Sequence, residues 1–241
     1  MLLQTIFLIL LLTLLFIFSK KITSNIYNLI YLISSSQRLA VGVLAWVLLP
    51  GTIIHEVSHF LLASILRVPT GEISVFPKFD KESGGVKTGH VMLGKSDPFR
   101  RTIIGLAPLI IGISLIYLIG KIIIPNTSEL FNSLSQLNNI SPILLLTTGY
   151  LLLIISVTMF SSKKDLESLI LAAPITIVIA ISLHLVGIRI SLAENLTNKI
   201  APILTAVNFY LLVTTTVNFL VLLILGFFLS AGLGIFRPKR S

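Results

Sequence analysis

The chain has 241 residues, of which 55% are hydrophobic and 11% charged, with a mean hydropathy of +1.01. Soluble domains carry about 25% charged residues, so an ordinary soluble fold is excluded and the composition reads as an all-α polytopic membrane protein, residues 1–241 forming one membrane-embedded domain. The net charge of +9 does not indicate nucleic acid, because the basic residues are scattered over loops and not gathered on an aromatic-interleaved surface, and the absence of cysteine excludes thiolate ligands and disulfides.

A bilayer-spanning helix needs about 17 to 25 apolar residues. In chain order, runs of that kind fall at Leu2–Phe18, Leu39–Leu66, Thr102–Ile124, Pro142–Phe160, Leu166–Ile188 and Ile203–Phe236, which predicts about six transmembrane helices. The first lacks a basic leading region and is followed by Ser19-Lys20-Lys21 instead of a small-residue cleavage site, so it reads as a retained span and not a signal peptide. Between the first two, Ile26, Leu29, Ile30 and Ile33 have the spacing of a short interfacial helix over Asn25–Ile33. Pro50-Gly51 is expected to kink the second span, and the last run to tilt, to break near Gly226 or to finish in an interfacial piece. With a cytoplasmic N-terminus, inner loops hold two thirds of the basic residues, which favours a multi-pass protein of the cell membrane with both termini cytoplasmic.

The chemistry concentrates in His55-Glu56-Val57-Ser58-His59. Residues four apart share a helix face, so both imidazoles can bind one Zn²⁺ while Glu56 takes a proton from water held there. A shuffle of this composition would contain the pattern only about 0.2% of the time, so the match to the metal motif is specific. The plainer alternative, a His/Glu/His cluster satisfied by hydrogen bonds between helices, is disfavoured because ionisable groups inside a span are costly and usually functional.

A catalytic zinc site needs a third protein ligand and an open position. Candidates are Glu72, Asp80, Glu82, His90, Asp97, Glu129, Asp165, Glu167, His184 and Glu194. With alternating spans, the fourth ends on the same side as the second, which brings Asp165 toward His59 and sets Glu129, Glu194 and the late fifth-span His184 on the far side. Asp165 also reads as a helix N-cap, Ser/Asp before an apolar run being common cap chemistry. The loop from Arg67 to Arg101 and Glu167 hold the remaining rivals.

In motif and order the chain resembles the site-2 protease family of intramembrane zinc metalloproteases. In that family the metal helix is followed by a short membrane-dipping β-hairpin region, a span with a Gly-Pro element, and a span ending in an aspartate ligand. Here Gly71–Phe76 and Gly85–Leu93 read as two strands joined through Asp80–Gly84. Asp97-Pro98 reads as an N-cap and first helical residue, and Gly105-Leu106-Ala107-Pro108 is similar to the Gly-Pro element. Lys164 before and Leu166 after Asp165 depart from the family's aspartate motif, so Asp165 matches by position. The loop of about 35 residues between the second and third spans is below domain size, so no PDZ module fits there.

The resemblance implies a catalytic core over residues 39–188 with flanking segments 1–38 and 189–241. It further implies zinc on His55, His59 and Asp165, Glu56 as general base, and a membrane-protein substrate cut in or near a transmembrane segment within the lipid bilayer. Readings from other classes are a catalytically silent scaffold, a metal- or proton-handling membrane protein, and a membrane zinc peptidase whose third ligand is a glutamate, Glu167 being nearest. His184, Asn208 and Asn218 are expected to hydrogen-bond between spans, His90 to be a surface residue, and Trp46 and Tyr31 to serve anchoring or packing.

Overall fold

The computed structural model describes residues 2–74, 78–79, 86–87, 90–94, 96–125, 141–160, 178, 182 and 194–236. The protein is mostly helical with few strands. Among the described residues the extended helices are α1 (Leu2–Ser34), α2 (Gln37–Ile65), α3 (Pro98–Ile123), α4 (Pro142–Thr158) and α5 (Glu194–Phe236). Four of these, all but the shorter α4, are long and apolar enough to cross a membrane. The fifth predicted span, Leu166–Ile188, lies outside the described residues apart from two helical positions, 178 and 182.

Helix starts follow side-chain chemistry. The Ser36, Asp97 and Ser141 side chains accept from the backbone N–H of Leu39, Arg100 and Leu144, and the prolines at 98 and 142 occupy first-turn positions where no N–H is needed. Asp97 also pairs with Arg100 at 3.1 Å. At the end of α2, Arg67 takes a left-handed conformation (φ 55°) and the Val68 N–H donates to Ala63 O at 2.9 Å, closing the helix as a glycine usually would, with Pro69 next.

Two expectations about helix boundaries change. α1 continues unbroken through Ser19-Lys20-Lys21 to Ser34, so the predicted interfacial helix is its distal half. No proline or glycine interrupts that stretch, and polarity alone does not end a helix. Ser35, just past its end, adopts φ 50°. α5 likewise passes through Gly226, where a Cβ would meet no other group within 4 Å, and spans 43 residues. A lone glycine costs about 1 kcal/mol against alanine and need not break a helix.

The helices pack through small and polar residues. α1 and α5 run side by side in the same direction: Gln4 Nε2 donates to Thr205 Oγ1 at 2.7 Å, Asn208 Nδ2 to Gln4 O at 2.9 Å, the Phe18 and Phe219 rings meet, and Leu32 covers Gly232. An alternating six-span scheme sets its first and last helices antiparallel, so that scheme does not account for this pairing. Asn218 and Ser156 exchange hydrogen bonds of 2.9 and 3.2 Å between α5 and α4, both fully buried. The predicted interhelical roles of Asn208 and Asn218 are thus found, and His184 falls outside the described residues. The apolar core lies where α1, α3, α4 and α5 meet, around Leu11, Leu15, Ile116, Leu152, Ile154, Tyr210 and Leu211.

Among the described residues between α2 and α3 are four short strands. β1 (Thr70–Ser74) pairs antiparallel with β4 (His90–Leu93), and β2 (Lys78–Phe79) with β3 (Val86–Lys87). A register irregularity falls between Thr70 and Ile73. The predicted strands Gly71–Phe76 and Gly85–Leu93 thus carry strand residues at 71–74, 86–87 and 90–93, and their remaining positions, with the turn over Asp80–Gly84, lie outside the described residues.

Candidate metal centre

α2 is turned inside out relative to a soluble helix. Its inward face carries Gly51, His55, Glu56, Ser58, His59 and Ala63, with His55 3%, Glu56 6% and His59 8% exposed. Its outward face carries Ile53, Val57, Leu61 and Ile65, which are 38 to 72% exposed. Polar groups inside and apolar groups outside is the pattern expected where the solvent is lipid and the ionisable residues serve a site.

One helical turn sets His55 and His59 above each other, and their Nε2 atoms approach to 3.2 Å with the rings nearly perpendicular (83°). Two imidazole nitrogens bound to one tetrahedral zinc at about 2.0 to 2.1 Å stand about 3.3 to 3.4 Å apart. The pair therefore already has the separation of a chelating edge, and the residues fit the metal.

α3 orients the second histidine. His59 Nδ1 lies 2.9 Å from the backbone oxygen of Ile104. A carbonyl oxygen only accepts, so Nδ1 carries the hydrogen, and in the neutral ring Nε2 is left with its lone pair, as a metal ligand requires. Sequence reasoning missed Ile104, because its contribution is a main-chain atom.

α4 closes the site from the other side. A Cβ at Gly51 would lie 2.6 Å from Thr158 Oγ1 and 2.8 Å from Ile154 O, so only glycine permits this approach. Gly51 was expected to kink α2 together with Pro50; the helix runs through both residues, and the glycine also serves close packing. A narrow crevice lined by Ile54, His55, Pro108, Gly112, Ile155, Thr158 and Met159 results, so the C-terminal end of α4 abuts His55. That end is held by α1, from which Ser19 Oγ donates to Val157 O at 3.1 Å and Lys20 Nζ to Phe160 O at 3.3 Å. Carbonyls at a helix C-terminus have no intrahelical partner, and a cation there also interacts favourably with the helix dipole. Sequence reasoning took Ser19-Lys20 for a loop; the polar pair just past an apolar run was the only available sign.

Of the sequence candidates for a third ligand, Asp97 is occupied as an exposed cap and Glu72 is exposed on β1. Asp80, Glu82, Glu129, Asp165, Glu167 and His184 lie outside the described residues, and of His90 and Glu194 only the backbone is described. Among the described residues no group of three or more such side chains is placed to hold a metal. The structure thus brings together the ring nitrogens of His55 and His59, with Glu56 buried on the same helix. No family model, curated protein or solved structure matches the chain.

Proposed function

We propose that the chain is an intramembrane zinc peptidase of the site-2 protease kind, hydrolysing a peptide bond in or near a transmembrane segment of a membrane-protein substrate. The observation that carries this reading is the buried His55/His59 pair, with ring nitrogens 3.2 Å apart beside Glu56, on a helix of bilayer-spanning length.

His55 and His59 hold the metal from one helix face, and Asp165 supplies the third ligand. Support for Asp165 is tether length: it follows Phe160 by five residues, about 17 Å of extended chain at most, and the end of α4 abuts His55. Bound zinc contributes Lewis acidity, polarising a carbonyl and acidifying water. Glu56 takes the proton of the attacking water and delivers it to the leaving amine. The surrounding helices exclude bulk water, which strengthens every charge interaction in the site. An extended substrate segment pairs with an edge of the β1/β4 ribbon, which follows the metal helix directly.

Metal removal tests this reading. The purified chain, supplied with a transmembrane-helix substrate in vesicles, is expected to stop cleaving after chelation and to recover on adding Zn²⁺. Cleavage that persists unchanged after complete zinc removal contradicts it.

A further inference from the structure

The proline at 108 sits inside α3, where it has no N–H to give to the carbonyl four residues earlier, that of Ile104. In an unbroken helix that carbonyl is spent on the i→i−4 ladder. Here Ile104 O instead meets His59 Nδ1 at 2.9 Å, and Ile104 and Pro108 are both buried, the latter against His55 in the crevice. One residue thus does two things: it removes a competing donor from a main-chain acceptor, and it places its ring beside the other histidine.

We infer that Pro108 is a positioning residue for the metal centre, acting through the Ile104 carbonyl it liberates to fix His59 as the Nδ1–H tautomer with Nε2 directed at the His55 nitrogen. The inference deepens the zinc reading and rests on it for its consequence, although the tautomer itself is a property of the metal-free chain. A buried proline within a lipid-exposed helix leaves an acceptor that must find a donor from elsewhere. His59 is that donor. Partners of this kind around metal ligands typically contribute 10- to 100-fold in affinity. Geometry explains the spacing: Ile104 and Pro108 are one turn apart on α3, as His55 and His59 are on α2, so the two helices meet turn against turn.

Pro108→Ala restores the N–H and should return Ile104 O to the helix ladder. Expected are a fall of about 10- to 100-fold in zinc affinity, and an upward shift in the unfolding temperature of the metal-free protein, since alanine is far better tolerated than proline in a helix interior. These effects have opposite signs, which a merely structural role would not produce. Nitrogen-15 spectra of the metal-free protein should show His59 protonated at Nδ1 in the wild type and as a tautomer mixture in Pro108→Ala. Incorporating the α-hydroxy analogue of alanine at 108 keeps the alanine side chain and again lacks the N–H, so it should restore the wild-type tautomer and most of the zinc affinity. An unchanged His59 tautomer in Pro108→Ala, or an analogue no better than alanine, overturns the inference. A wild type with the expected tautomer that fails to bind zinc overturns the metal reading and leaves the Pro108 effect on the tautomer standing.

Discussion

Glu56→Gln is expected to reduce cleavage of a transmembrane substrate by at least 10²- to 10⁴-fold, the usual contribution of a positioned general base, while leaving bound zinc unchanged. The amide keeps the shape of the carboxylate and its position beside His55, but it cannot accept a proton at neutral pH. Burial at 6% exposure makes the substitution conservative for packing, since a neutral amide in this place costs less to desolvate than a carboxylate. Side-by-side turnover and elemental analysis check it. Full activity in the variant rules out a peptidase in which Glu56 is the base, and loss of zinc with loss of activity makes Glu56 a ligand.

Asp165→Ala is expected to lower zinc occupancy and abolish cleavage together, with Glu167→Ala close to wild type in both. Catalytic zinc takes three protein ligands and keeps one position open, and α2 supplies only two imidazoles. Ser19 and Lys20 hold the α4 terminus against His55, so a chain leaving Phe160 starts beside the metal pair. If Asp165 served only as a helix cap, its removal would cost about 1 kcal/mol of stability with zinc retained. Zinc titration of the purified variants distinguishes the two, and a loss confined to Glu167→Ala moves the third ligand there.

Much of this was legible in the sequence, for local reasons. The His55/His59 pairing on one helix face shows in the four-residue spacing, and α3 begins where Asp97-Pro98 announces a cap and a first-turn proline. Binary pattern locates the apolar runs that became α2, α3 and α4. What escaped depends on partners distant in the chain. α1 runs on to Ser34, and the hydroxyl and ammonium groups of Ser19 and Lys20 find main-chain acceptors at and just past the end of α4, which turns a polar interruption into a contact. Nothing around Gly51 in the sequence marks its close approach to Thr158, more than a hundred residues away. The parallel course of α1 and α5 follows from the Gln4, Thr205 and Asn208 contacts, which no apolar pattern encodes. The Ile104 carbonyl belongs to the main chain, and its part at the site is visible in sequence only through the proline four residues on.

The central claim is that His55 and His59 together grip one zinc ion inside the bilayer. X-ray absorption at the zinc edge of the purified, zinc-loaded chain tests it directly. Two imidazole nitrogens at about 2.0 to 2.1 Å with oxygen completing a four-coordinate shell is the expected result; a zinc shell with one imidazole or none contradicts it.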